Sequence, residues 1–147
     1  MTKRMILAVM AGLWLSAAPV LAHHTFSADF DSNKPVTLNG TITKVQWTNP
    51  HVYTFINVKD DQGKMKNWKV EMGSPTDLGK EGWTRNSLKV GNMVTVKGWQ
   101  GIKQNNLANA DSVTLSTGKT LSAASSYHES ATAGTSGTRT PPKTDKY

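Results

Sequence analysis

The feature that most constrains the fold of this chain is a series of segments in which apolar residues recur at every second position. A two-residue period places one face of an extended strand in a core and the opposite face in solvent. The segments are Val36–Trp47, His51–Lys59, Met65–Met72, Met93–Gly98 and Ala108–Leu115. The pattern therefore predicts a mainly β protein with five strands.

A hairpin is predicted between the second and third segments. Residues 60–63 read Asp-Asp-Gln-Gly, which is typical of a short turn whose glycine adopts the left-handed conformation. A three-residue loop keeps the apolar faces of both strands on the same side. In the resulting register Tyr53 pairs with Glu71, and Phe55 pairs with Lys69.

The order of the remaining elements defines the fold class. Ser74, Pro75 and Asp77 have the pattern of a helix start, with a serine cap and a proline at the first helical position. The apolar phase of the first strand changes near Thr43-Lys44, which predicts a bulge. Three strands, a short helix and two strands predict a small five-stranded Greek-key barrel of the oligonucleotide/oligosaccharide-binding (OB) type. An immunoglobulin-like sandwich is the alternative, but it needs about seven strands and no helix here.

The two ends of the chain differ from this central part in composition. Residues 1–22 run from a basic start through an apolar stretch to small residues, which predicts a secretory signal peptide cleaved after Ala22. An uncleaved membrane anchor is the alternative, although the apolar run is shorter than the roughly 20 residues that span a bilayer. Residues 122–147 are rich in Ser, Thr, Ala and Gly and predict a disordered tail. The predicted domain is 23–121, in a periplasmic or secreted protein without a transmembrane segment after cleavage.

Composition limits the chemistry that the chain can support. There is no cysteine, which excludes disulfides and thiolate metal sites. The formal net charge of +7 suits acidic partners, although scattered lysines are also typical of an ordinary solvated surface. Nucleic acid is not expected as the partner of an exported protein. No Gly-x-Ser-x-Gly elbow, phosphate loop or His-Glu-x-x-His pair occurs, so no catalytic residue is assigned and a non-enzymatic protein is expected.

Five short motifs resemble those of a known family. They are His23-His24, Lys34–Leu38, Trp47–His51, Glu71–Pro75 and Gly82–Arg85. Through these motifs the sequence resembles domain-of-unknown-function family 6152, a family of small exported bacterial proteins. The resemblance covers the whole predicted domain. The resemblance implies export and a single domain. It implies no activity and no catalytic residue, because the family has no established function.

The histidines near the predicted cleavage site suggest a metal ion. Cleavage after Ala22 makes His23 the terminal residue, so that its amine and its ring both become nitrogen ligands. A further imidazole from His24 or His51 completes a three-nitrogen site of the kind that Cu(II) prefers. Copper is therefore the predicted cofactor, held by a binding protein or, as the alternative, by an oxidase-like copper enzyme. The alternative is a terminus that carries two histidines without a metal, since adjacent side chains point apart on an extended chain.

A second hypothesis needs no metal and uses aromatic and basic side chains to bind a glycan or a periplasmic protein. The predicted ligand-binding residues are Tyr53, Phe55, Lys69, Glu71 and Trp99. The first four are expected on the outer face of the second and third strands, which is the usual ligand face of OB-type barrels. Glu71 is expected either to orient His51 by a hydrogen bond or to form an ion pair. Trp99 is expected at the start of a polar loop.

Overall fold

The structure is a computed structural model that describes residues 26–128. Its elements are α1 Phe26–Asp29, β1 Phe30–Trp47, β2 Val52–Lys59, β3 Met65–Glu71, α2 Pro75–Lys80, β4 Met93–Gly101, β5 Leu107–Leu115 and β6 Thr120–Ser122. A further helical turn includes residues 126–128. The prediction of a mainly β protein is confirmed.

The strands of the described part form one sheet that closes on itself. Their order is β3-β2-β1-β4-β5-β6, and each neighbouring pair in this order is antiparallel. The closure comes from β3 and β5, which pair in parallel through Lys69–Glu71 and Leu107–Asn109. Strands β1 to β5 thus form a ring, and the two-sheet sandwich considered as an alternative does not occur.

The long first strand bends because it pairs with both β2 and β4. Its register with β2 shifts between Ile42 and Lys44, which confirms the predicted bulge. Gly40 lies just before this point, where the strands come so close that a Cβ atom would be 2.6 Å from the carbonyl oxygen of Asn57. The absence of a side chain at Gly40 is therefore a condition for the bend.

The predicted hairpin between β2 and β3 is also confirmed. Tyr53 pairs with Glu71, and Phe55 pairs with Lys69. Gly63 has a φ of 80°, the left-handed conformation that the turn requires. The alternation of core and outer positions along both strands therefore follows the pattern expected from the sequence.

Helix α2 begins as predicted. The hydroxyl of Ser74 accepts a hydrogen bond of 3.1 Å from the main-chain N–H of Asp77 and donates one of 2.6 Å to its carboxylate. The ammonium group of Lys80 and the hydroxyl of Ser74 lower the pKa of Asp77, because both donate to the charged carboxylate. Leu78 then points into the core and is fully buried.

Most of the core comes from the inward faces of the ring. Its buried members are Leu38, Ile42, Val52, Ile56, Val70, Met72, Leu78, Trp83, Leu88, Val94, Val96, Ala108, Ala110, Val113 and Ala123. Each fully buried Val, Leu or Ile side chain contributes about 1.5–3 kcal/mol relative to an exposed position. Stability therefore rests on burial around the whole ring.

Strand β4 is longer than predicted and includes Trp99. The sequence places this tryptophan in a loop, but its backbone pairs with Pro35 of β1 and Asn109 of β5. The extension is possible because Gly98 lets the strands approach closely. A Cβ atom at Gly98 would be 2.0 Å from the carbonyl oxygen of Asn109.

The folded part continues beyond the predicted domain boundary. The sequence predicts disorder from residue 122 onward, but Ala123 and Ser125 are buried. The main-chain N–H of Gly73 donates to the carbonyl of Ala123 at 2.8 Å, and the indole of Trp83 donates to a carbonyl of β6 at 2.6 Å. Small residues pack here against the main chain, so low hydrophobicity does not reveal the contact. The predicted signal peptide, residues 1–22, and the rest of the predicted tail, residues 129–147, lie outside the described residues.

Candidate functional site

The outer surface of β1, β2 and β3 carries most of the predicted ligand-binding residues. Phe55 lies in the middle of a row across the three strands, paired with Lys44 on β1 and with Lys69 on β3. The next row contains Tyr53, paired with Gln46 and with Glu71. The structure thus brings together the predicted residues of β2 and β3. We call Lys44, Tyr53, Phe55 and Lys69 the aromatic–lysine face.

Both lysines of this face lie over aromatic rings. The ammonium nitrogen of Lys69 is 4.0 Å from the ring centroid of Tyr53, and that of Lys44 is 5.3 Å from the centroid of Phe55. Such cation–π contacts are worth about 0.5–1 kcal/mol at exposed sites. They hold long side chains in defined positions, so the face presents two positive charges above two half-buried rings.

Lys44 was not among the predicted site residues. Without a bulge, Thr43 would oppose Phe55, but the extra residue in β1 places Lys44 there instead. The signal was present in the sequence, because the apolar phase of the strand changes at this point. Combining the bulge with the predicted outward position of Phe55 identifies Lys44.

Glu71 links this face to the interior through hydrogen bonds. Its carboxylate accepts one bond of 3.2 Å from the hydroxyl of Tyr53 and another of 3.3 Å from the side-chain amide of Asn109. The carbonyl of that amide accepts a bond of 2.5 Å from the hydroxyl of Ser125. Within residues 26–128, neither His51 nor a lysine bonds to Glu71, so neither role expected for its carboxylate is observed.

The hydroxyl of Tyr53 is held in its protonated form. Burial raises its pKa to about 12, and the nearby carboxylate of Glu71, which accepts its proton in a hydrogen bond, adds to this effect. Asp29 contributes a smaller repulsion of the same sign. The phenol therefore acts as a fixed donor to Glu71 and not as an acid at neutral pH.

His51 is oriented by the main chain. Its Nδ1 lies 3.2 Å from the carbonyl oxygen of Met72. Since a carbonyl only accepts, Nδ1 is the donor in this bond, and Nε2 is the ring nitrogen that this contact leaves available. The other two predicted metal ligands, His23 and His24, lie outside the described residues. Within residues 26–128, no group of three or more His, Asp or Glu side chains is arranged to hold a metal ion.

Trp99 lies apart from the aromatic–lysine face, two strands away from β2 in the ring. Its ring centroid is 4.3 Å from that of Tyr127 and 5.4 Å from that of Phe26. Tyr127 belongs to the segment after β6, where the sequence predicted disorder. The indole expected to contact a ligand is thus packed against two aromatic rings of the same chain.

Fold and surface together define a small mainly β protein, closed into a ring of five strands, with an aromatic and basic outer face. Residues 12–109 match the model of a family of unknown function, DUF6152, and the chain belongs to this family. No curated protein and no solved structure matches the chain significantly. None of the helices in residues 26–128 has the length and apolar character needed to cross a membrane.

Proposed function

We propose that this protein is an exported, non-enzymatic binding module whose aromatic–lysine face holds an acidic glycan. The observation that carries the proposal is the row in which Phe55 lies between Lys44 and Lys69. Export is supported by the order of basic, apolar and small residues in segment 1–22.

The chemistry of the face matches a charged sugar polymer. An ammonium group pairs with a carboxylate or sulfate, and the two ammonium groups above the rings of Tyr53 and Phe55 offer two such contacts. The contacts of Lys69 with Tyr53 and of Lys44 with Phe55 order these side chains before binding. Less side-chain freedom is then lost when the ligand binds. The net charge of +7, which becomes +5 when cleavage removes Lys3 and Arg4, favours the approach of a polyanion.

The barrel itself supports the same assignment. We infer an OB-like barrel from the ring order β1-β2-β3-β5-β4 and from the position of α2 between β3 and β4. Strands two and three form the usual ligand surface of such barrels, and their outer face carries Tyr53, Phe55 and Lys69.

The test measures binding of the full mature chain to dextran sulfate, with neutral dextran of the same length as the reference ligand. We expect dextran sulfate alone to bind, with an affinity that falls as salt rises. Lys44→Gln and Lys69→Gln should each weaken binding more than Lys89→Gln, which removes the same charge from an exposed position elsewhere. Equal effects of all three variants would show attraction by net charge alone and would contradict the proposal.

A second candidate, copper binding, is favoured by the orientation of His51. An imidazole that donates one N–H to a main-chain carbonyl and keeps the other nitrogen unprotonated is typical of metal ligands. We propose that Nε2 of His51 joins the terminal amine and ring of His23, with His24 as the alternative imidazole, to bind Cu(II). This proposal depends on cleavage after Ala22.

The copper proposal is tested on protein purified with its native leader, after mass spectrometry has identified the mature amino terminus. Titration with Cu(II), followed by calorimetry and electron spin resonance, should give a nitrogen-ligated site that His23→Ala and His51→Ala each weaken. His128→Ala is the matched control, because its ring bonds to Asp111 at 2.7 Å. An amino terminus other than His23, or affinity that both test variants leave unchanged, would exclude this site.

A further inference from the structure

A groove of about 560 Å³ opens where the ring of strands is incompletely closed. Strand β3 pairs with β5 from Lys69 onward, whereas Lys66 and Trp68, before this point, line the groove together with Asn105 and Asn106. The first half of β1 forms the opposite wall. The volume falls within the roughly 300–1,000 Å³ of sites that bind small molecules.

The lining of the groove has an apolar part and a polar part. Trp68, Val36 and Leu38 supply apolar side chains, and Gln100, Asn105 and Asn106 supply side-chain amides. Within the described part of the chain, no hydrogen bond uses these three side-chain amides. The groove therefore offers unused groups that both donate and accept hydrogen bonds, beside one indole.

The main chain holds Asn106 of the polar part in place. Asn106 has a φ of 60°, a left-handed conformation that asparagine tolerates. Its carbonyl accepts a hydrogen bond of 2.9 Å from the N–H of Lys69, at the point where β3 meets β5. The closure of the ring thus fixes the end of the loop that carries Asn105 and Asn106.

The charge of the groove is largely compensated. Lys66 is its single cationic lining residue, and the ammonium group of this lysine pairs with the carboxylate of Asp60 at 3.1 Å. An anion such as a phosphate would have to compete with that carboxylate. A ligand with many neutral hydroxyl groups would not.

We infer that this groove is a binding site for a neutral mono- or disaccharide. One face of the sugar packs on the indole of Trp68, and its hydroxyl groups bond to the amides of Gln100 and Asn105. The site is separate from the aromatic–lysine face, since Trp68 and Lys69 are successive residues that point to opposite faces of β3. It therefore goes beyond the proposed function and does not depend on it.

The experiment titrates the full ¹⁵N-labelled chain with maltose, cellobiose and chitobiose at millimolar concentration. At least one of these disaccharides should shift the indole N–H resonance of Trp68 and the amide resonances of Gln100 and Asn105. Gln100→Ala and Asn105→Ala should each weaken binding about 2- to 10-fold, the effect of one lost hydrogen bond. Gln104→Ala is the control, because this exposed residue of the same loop does not line the groove.

Three results would overturn the inference. The first is that none of the disaccharides shifts these resonances. The second is that inorganic phosphate shifts them and the sugars do not, which would assign the groove to an anion. The third is that Asn105→Ala and Gln104→Ala bind equally well. The Lys44→Gln variant should leave this binding unchanged, so failure here is distinct from failure of the acidic-glycan proposal.

Discussion

Replacing Ser125 by alanine tests whether the segment after β6 belongs to the folded domain. Ser125 is 2% exposed and donates a hydrogen bond of 2.5 Å to the side-chain carbonyl of Asn109, which is itself 1% exposed. Its oxygen also accepts a bond of 3.1 Å from the main-chain N–H of Tyr127. The substitution Ser125→Ala removes both bonds without adding volume.

The expected loss of stability follows from the buried polar groups that the substitution leaves without a hydrogen-bond partner. A buried polar group left without a partner costs about 1–3 kcal/mol, and here the carbonyl of Asn109 loses its donor from Ser125. We expect Ser125→Ala to lower the free energy of unfolding by about 2–3 kcal/mol in total. For a domain of this size, each kcal/mol lowers the midpoint of thermal unfolding by about 4–8 °C.

The assay is urea unfolding of the full chain, followed by tryptophan fluorescence. Ser116→Ala is the matched control, because Ser116 is exposed in the turn before β6. Its free energy of unfolding should stay within about 0.5 kcal/mol of the parent protein. The double variant with Asn109→Ala should lose less than the sum of the two single losses, since both share one bond. A Ser125→Ala variant as stable as the control would refute the packing of this segment.

Three further predictions concern other parts of the fold. Gly98→Ala places a Cβ atom 2.0 Å from a main-chain carbonyl of β5, so we expect it to cost at least about 3 kcal/mol or to prevent folding. Gly79→Ala, in α2, places its new carbon at least 4 Å from atoms outside this helix and should instead stabilise the protein by about 0.5–1 kcal/mol. Urea unfolding measures the free energy of unfolding of both variants. Similar changes in the two would contradict the packing of β4 on β5. Because the pKa of Tyr53 rises from 10.0 to about 12 on folding, the folded state keeps this proton longer, and stability should fall as pH rises from 10.0 to about 12. The free energy of unfolding, measured across this pH range, should fall less in Tyr53→Phe than in the parent protein. Equal falls in the two proteins would show that folding does not change the pKa of this phenol. Tyr127→Ala should lower stability by about 1–3 kcal/mol and red-shift tryptophan emission as Trp99 becomes hydrated, whereas an unchanged spectrum would exclude the ring contact.

Local features of the fold could be derived from the amino-acid sequence. Strand faces follow from the two-residue period, and the register of Tyr53 with Glu71 follows from the length of the turn between β2 and β3. The bulge before Lys44 follows from a change of apolar phase. Such features depend on residues close together in the chain, whose spacing restricts the backbone to few conformations.

The candidate site could be predicted only where it depends on those local rules. Tyr53, Phe55 and Lys69 were identified from strand parity, and Lys44 required parity and the bulge together. The packing of Trp99 could not be predicted, because its partners Phe26 and Tyr127 come from the two ends of the described chain.

What the sequence alone determined, then, is the strand pattern, the hairpin and the composition of the aromatic–lysine face. Only the tertiary structure decided the closure of β3 on β5, the groove beside Trp68 and the docking of Ser125 on Asn109. The physical reason is that these features join distant segments. Several of their contacts involve small or polar side chains against the main chain. Such contacts leave no periodic pattern in the sequence, and they form only when the whole ring has assembled.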